Sequence, residues 1–193
     1  ATGCSNLGML YGTGQGVARD MPKAMKLFER GCDGGAGIGC ANLGQGYEKG
    51  AIGAPDPALA ATLYRRACEA GSADGCGWLA ALHHQGRGVP QDDAQALRLI
   101  EKGCDLGGLD ACSDLGVALL LGQGLDADPA RAVRVFQSAC SAGGARSCSN
   151  LAVLYRDGRG VPRNEIISLA FLKQACELGE ASACATVEQL RGR

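Results

Sequence analysis

Eleven cysteines and two histidines give this chain its greatest capacity for chemistry, and their spacing decides which chemistry it is. Ten cysteines fall in pairs: Cys32/Cys40, Cys68/Cys76, Cys104/Cys112, Cys140/Cys148 and Cys176/Cys184. Each pair has seven residues between its members and follows its predecessor by 36. Cys4 stands 36 before Cys40 and has no mate upstream. Structural metal sites use ligand pairs about two to four residues apart, often with histidine in the set, and neither feature occurs. His83 and His84 are adjacent, so on a helix they point about 100° apart and cannot chelate one ion together. No metal site and no cofactor is expected. The cysteines read as disulfides, each worth roughly 2–4 kcal/mol, formed in an oxidising compartment, periplasmic or secreted.

The segment Gly12-Thr13-Gly14-Gln15-Gly16 has the look of a phosphate cradle. Its glycine pair recurs as Gly86/Gly88, Gly122/Gly124 and Gly158/Gly160, and no Lys-Ser/Thr follows to hold phosphate and metal, so it reads as a turn between helices. A formal charge of −1 with scattered Lys and Arg offers no face for nucleic acid or anionic lipid. No apolar run approaches the ~18 residues of a membrane span. The chain begins inside a repeat without a methionine, which is expected to follow removal of a targeting peptide.

The elements that position the cysteines follow from the same period. Asp20, Asp56, Asp92, Asp128 and Asn164 share one frame of it and are good helix N-caps, with Pro57 and Pro129 next in line at the first helical position. Apolar residues follow at helical spacing: Ala24, Ala60, Ala96 and Ala132, then Leu27, Leu63, Leu99, Val135 and Phe171, then the first cysteine of each pair. Glycine recurs at 35, 71, 107, 143 and 179, the place of a helix stop. The second cysteine opens another helix whose offsets 0, +3, +4 and +7 form a buried stripe. Leu7, Leu43, Leu79, Leu115, Leu151 and Val187 fill +3. Gly8, Gly44, Ala80, Gly116 and Ala152 fill +4, where a larger side chain would hold two helices apart. Tyr11, Tyr47, His83, Leu119 and Tyr155 fill +7.

Eleven helices in alternation are predicted, the last near 181–190. The expected fold is all-α: a right-handed superhelical solenoid of 36-residue helical hairpins stapled by disulfides, in a single domain over 1–193 and as a monomer. Two disulfide registers are sterically reasonable. Pairing across seven residues leaves Cys4 free, whereas pairing as in Cys40 with Cys68 leaves Cys184 free. Loop entropy favours the longer closure by only roughly 1 kcal/mol, although the short gap never varies in length.

The pattern Cys-Ser-Asn-Leu-Gly-Met-Leu-Tyr-Gly-Thr-Gly-Gln-Gly-Val, followed by a capped helix ending in Gly31-Cys32, resembles the Sel-one-like repeat, a relative of the tetratricopeptide repeat. With its cysteine pairs it is similar to the Helicobacter cysteine-rich protein branch, and the likeness runs through essentially the whole chain. His83 and Leu119 depart from the usual tyrosine, and Gly50-Ala51-Ile52-Gly53-Ala54-Pro55 departs from the usual turn. The resemblance implies hairpins cross-linked as Cys32–Cys40, Cys68–Cys76, Cys104–Cys112, Cys140–Cys148 and Cys176–Cys184. It also implies extracytoplasmic interaction scaffolds, with β-lactamase or penicillin-binding activity attributed to some members. A serine β-lactamase needs a serine followed three residues later by lysine, and none of Ser5, Ser72, Ser113, Ser138, Ser141, Ser147, Ser149, Ser168 and Ser182 has one. Catalysis is therefore not expected.

A binding surface is expected on the leading helices, where position +2 carries Asn6, Asn42, Trp78, Asp114 and Asn150, with Thr186 in the last copy. In superhelical relatives this helix lines the concave groove. A row of side-chain amides can hold an extended peptide backbone, each giving a donor and an acceptor, and Trp78 reads as an anchor for a protein or peptide partner. Inhibition of a secreted toxin or hydrolase is an alternative task for such a module, and binding or hydrolysis of β-lactams or peptidoglycan fragments is the enzymatic alternative.

Overall fold

A computed structural model describes residues 1–191. Eleven α-helices and no strand occupy the described residues. Packing gathers them into two compact units. The first, Ala1–Leu106, holds α1 (Thr2–Thr13), α2 (Met21–Asp33), α3 (Gly37–Glu48), α4 (Pro57–Glu69), α5 (Ala73–Gln85) and α6 (Asp93–Asp105). The second, from Gly107 onward, holds α7 (Leu109–Leu121), α8 (Pro129–Ser141), α9 (Ala145–Asp157), α10 (Glu165–Glu177) and α11 (Ala181–Arg191). In each unit a leading helix pairs with the capped helix that follows it, giving helical hairpins that repeat with the period of the cysteines.

The capped helices begin as their sequences dictate. The carboxylate of Asp20 accepts from the N–H of Lys23 at 2.9 Å, Asp56 from Leu59 at 2.9 Å, Asp92 from Gln95 at 2.8 Å and Asp128 from Arg131 at 2.8 Å, while the Asn164 amide oxygen accepts from Ile167 at 3.0 Å. Each bond satisfies a donor that the first helical turn leaves free. At the other end of α2, Gly35 N–H donates to the Cys32 carbonyl at 3.0 Å and Ala36 N–H to that of Gly31 at 2.9 Å, which closes the helix in a Schellman turn. The turn recurs after Cys68, Cys140 and Cys176. Gly35, Gly71, Gly107, Gly143 and Gly179 all have φ between 83° and 96°, and nothing lies within 4 Å of where a Cβ would stand. Backbone sign alone therefore selects glycine here.

One cross-connection repeats through the chain. The N–H of each cap residue donates to the carbonyl of the residue nine positions earlier: Asp20 to Tyr11 at 2.9 Å, Asp56 to Tyr47 at 2.9 Å, Asp92 to His83 at 3.0 Å, Asp128 to Leu119 at 2.8 Å and Asn164 to Tyr155 at 2.7 Å. Because the acceptor is backbone, His83 and Leu119 replace tyrosine without loss of the joint. The turns that carry this bond bring Gly88 onto the backbone of Pro57 and Gly160 onto that of Pro129, approaches that no side chain would fit between.

Packing between paired helices follows a size rule. A Cβ at Gly8 would stand 2.7 Å from the Phe28 ring, one at Gly44 would stand 2.7 Å from the Tyr64 ring, and one at Gly116 would overlap Phe136. Where the opposite position carries Ile100 or Leu172, the leading helix carries Ala80 or Ala152 instead of glycine. Ring against glycine, and branched aliphatic against alanine, keep the helix separation constant. Leu43, Leu79, Leu115, Leu151 and Val187 are buried at +3. Leu7 is 42% exposed, because Leu43 and its counterparts pack on the capped helix before them and none precedes α1 among the described residues.

Candidate binding surface

Four disulfides close the same seven-residue gap: Cys32–Cys40, Cys68–Cys76, Cys140–Cys148 and Cys176–Cys184, with Cα atoms 4.4–4.8 Å apart. Cys104 and Cys112 are disulfide-bonded as well, and Cys4 is the free cysteine of the described residues. Each of the four staples ties the Schellman end of a capped helix to the first turn of the next leading helix. The backbones beneath the +2 side chains are thereby fixed.

In the first unit that row runs over α1, α3 and α5. Asn6 is exposed. Asn42 is half-buried, and its Nδ2 is enclosed with no hydrogen-bond partner. Trp78 is also half-buried and leans on Tyr64, with ring centroids 5.3 Å apart and planes tilted by 52°. In the second unit the row runs over α7, α9 and α11. Exposed Asp114 holds Arg146 at 2.9 Å, Asn150 is half-buried and Thr186 is exposed, with its hydroxyl donating to the Ser182 carbonyl at 2.9 Å. Burial works to lower the Arg146 pKa, but hydrogen bonds and charge from Asp114 and Asp110 outweigh it and leave the group above its usual range.

Between α3, α4 and α5 the interior is filled. Tyr64 has no exposed surface; its hydroxyl donates to Glu48 Oε2 at 2.7 Å, and Arg87, in the turn after α5, donates to Glu48 Oε1 at 3.0 Å. Burial, then the hydrogen bond and charge of Glu48, push the Tyr64 phenol far above the ordinary tyrosine range, with Arg87 opposing weakly. Trp78 closes over this network, packed against the cores on both sides of it.

The same place three repeats on, between α9, α10 and α11, is open. Leu172 stands for Tyr64, Thr186 for Trp78 and Arg156 for Glu48, and the result is a cavity of about 700 Å³. It is lined by Ala152, Val153, Leu169 and Leu172 and by the exposed Arg156, Arg163 and Glu165. Arg156 donates to Asp157 at 2.7 Å; that bond raises the arginine's pKa and holds the exposed Asp157 carboxyl below the usual carboxylate range. Ser149 is also in the lining, and its Oγ is buried without a partner. The equivalent serine one repeat earlier, Ser113, is bonded to Ser147 at 2.8 Å, and Ala183 stands where Ser147 would be.

Reading the repeat pattern for apolar stripes missed this cavity. The relevant column is Phe28, Tyr64, Ile100, Phe136, Leu172, one residue beyond the stripe of Leu27, Leu63, Leu99, Val135 and Phe171, with leucine at the cavity. Among the other candidates for chemistry, the Ser168 hydroxyl is tied to the Ala152 carbonyl at 2.7 Å. His84 Nδ1 lies 2.7 Å from Asp93, and His83 Nδ1 lies 3.3 Å from the Pro90 carbonyl, so the two rings engage separate partners. Among the described residues no cluster of His, Cys, Asp and Glu can hold a metal, and no helix is long and apolar enough to cross a membrane.

Known proteins share this architecture. A Sel1 repeat protein from Oxalobacter formigenes superposes with a TM-score of 0.84 at 25% identity, over 96% of this chain and 74% of that one. A protective antigen present in uropathogenic Escherichia coli strains, displaying an SLR fold, gives 0.82 at 25% identity over 95% of this chain, which spans only 39% of that antigen. Helicobacter pylori cysteine rich protein B gives 0.54 at 25% identity, over 65% of this chain and 90% of its own. No curated protein matches in sequence comparison. The Sel1 repeat model matches five times, at residues 1–35, 37–72, 73–108, 109–144 and 145–180, so the chain belongs to the Sel1 repeat family.

Proposed function

We propose that the chain is a non-catalytic binding module that holds a protein or peptide partner outside the cytoplasm, in the periplasm or after secretion. The observation that carries this reading is the +2 position of the stapled leading helices. Its side chains are polar or aromatic and set on rigid backbone, with Asn6 exposed and Asn42, Trp78 and Asn150 half-buried along the row. Accessible side-chain amides in this row can pair with the backbone of an extended peptide, and the half-buried indole of Trp78 offers apolar contact. Ten disulfide-bonded cysteines support an oxidising setting.

The test is affinity capture from an extracytoplasmic fraction with the chain as bait, compared with Asn42→Ala and Asn150→Ala baits whose melting curves match the parent. A specific partner lost from both variants is the expected result. Equal capture by all three baits would remove the +2 row from the account.

A further inference from the structure

We propose that Tyr64, Glu48 and Arg87 are positioning residues for Trp78: together they hold the indole in one orientation on the +2 row, where its accessible part can receive an apolar side chain of the partner. The proposal rests on the +2 row as the binding surface. Its support comes from the repeat, which supplies a comparison at every position. The column of Tyr64 otherwise holds Phe28, Ile100, Phe136 and Leu172, and the rings of Phe28 and Phe136 stand over Gly8 and Gly116 at least as closely as Tyr64 stands over Gly44. A ring without a hydroxyl therefore fills this space equally well, whereas a buried phenol costs free energy unless it is paired. The position of Glu48 otherwise holds Gly12, His84, Leu120 and Arg156, and the position of Trp78 holds Asn, Asp or Thr in every other copy. Phenol, carboxylate and indole thus depart from their columns in one place, and the departures touch. The Tyr64 hydroxyl donates to Glu48 Oε2 at 2.7 Å, and Trp78 packs tilted against the Tyr64 ring with centroids 5.3 Å apart.

Arg87 closes the arrangement. Its counterpart two repeats on, Arg159, also reaches back across the preceding leading helix and donates to the Leu120 carbonyl at 3.3 Å. Leu120 occupies the place of Glu48, so the reach belongs to the frame and the carboxylate is the addition. Arg87 donates to Glu48 Oε1 at 3.0 Å, and the Glu48 side chain is only 21% exposed, which shields the pair from screening. Contacts therefore run from the turn after α5 to Glu48 on α3, on to Tyr64 on α4, and back to Trp78 on α5. A circuit that leaves from α5 and returns to it fixes the surface on which the indole leans. Trp78 is only half-buried and would otherwise have to be ordered by its partner, at a cost in affinity that prior positioning removes.

Trp78 is the only tryptophan of the chain, so its fluorescence and its near-ultraviolet circular dichroism report its setting directly. The probe is acrylamide, used as a collisional quencher on the parent chain and on Tyr64→Phe, Glu48→Ala and Glu48→Gln. Gly116→Ala, which crowds Phe136 in the second unit, serves as a control of disturbed packing elsewhere. At a temperature where every variant is folded, Tyr64→Phe and Glu48→Ala should raise the quenching constant and weaken the tryptophan dichroism band. Glu48→Gln, which keeps an acceptor for the phenol, should do so less, and Gly116→Ala should leave both signals at parent values. A partner captured through the +2 row should bind Tyr64→Phe and Glu48→Ala roughly two- to tenfold more weakly, the cost of ordering one further side chain on binding. Parent-like quenching and dichroism in both Tyr64→Phe and Glu48→Ala would overturn the proposal. Equal changes in Gly116→Ala would overturn it too, by tracing the effect to general loosening. If the Trp78 signals change as expected while a Trp78→Ala bait captures the partner as well as the parent does, the binding role of the row falls and the positioning of the indole stands.

Discussion

Between Cys40 and Leu82 the chain fills with two aromatic rings the same space that, between Cys148 and Leu190, it leaves open. The backbone of the two regions is set by one recipe of cap, Schellman turn, staple and cap-to-carbonyl bond, so frame and filling are separately encoded. The frame repeats because it depends on glycine sign, on aspartate oxygens and on main-chain groups. The filling varies because it depends on the size of a few side chains, and Leu for Tyr at one position and Thr for Trp at another go with a cavity where the earlier region has a core.

Removing a staple is the most severe way to break the comparison. Cys68→Ala with Cys76→Ala should lower stability by about 2–4 kcal/mol in denaturant unfolding. The equivalent pair Cys176→Ala with Cys184→Ala should cost less, because Cys68 and Cys76 are fully buried and the later pair is only half so. Equal losses would show that filling contributes nothing to the staple's effect.

The filled region should also show an alkaline limit that the open one lacks. Tyr64 keeps its proton in the fold far above the pH near 10 at which an unfolded tyrosine releases it. Its contribution is therefore complete below about pH 10 and falls as pH rises beyond it, since only the unfolded state can ionise. Tyr64→Phe should cost about 1.5–3 kcal/mol at neutral pH, the value of a hydrogen bond to a charged group, and flatten the alkaline decline. A decline that persists unchanged in the variant would assign it elsewhere.

The size rule makes a sharper test. Gly44→Ala should destabilise by about 1–3 kcal/mol through overpacking on the Tyr64 ring, against an intrinsic helix gain for alanine of up to about 1 kcal/mol. In a Tyr64→Leu background, which copies the Ala152 and Leu172 combination, Gly44→Ala should cost less than it does alone. Strict additivity of the two changes in a double-mutant cycle would sink the rule. The smallest effect is expected from Ala183→Ser, which restores to Ser149 the partner that Ser113 has in Ser147; a gain of about 0.5–1.5 kcal/mol is anticipated in thermal unfolding.

The frame was legible in the sequence because period and residue chemistry coincide. Asp20 and its counterparts, Gly35 and its counterparts, and the closing helix near 181–190 all lie where one-dimensional spacing put them. What lay outside that reading depends on what a side chain fails to fill. Trp78 reads as an interaction anchor, and spacing gives no sign that it packs tilted against Tyr64, since that contact joins two helices whose crossing brings the rings together. Leu7 read as buried like its counterparts, although burial at +3 needs a capped helix before it. The cavity itself required knowing that residue 172 faces residue 152 and that residue 186 closes over both.

The bond from each cap N–H back to the carbonyl at +7 has an evolutionary corollary. Because the joint uses no side chain on its acceptor side, a hairpin cassette can be duplicated, exchanged or recoded on its surface without renegotiating its junction with the next. The succession Tyr11, Tyr47, His83, Leu119, Tyr155 is a record of that freedom: five copies of one hinge point, three side-chain chemistries, and an identical clasp beneath each.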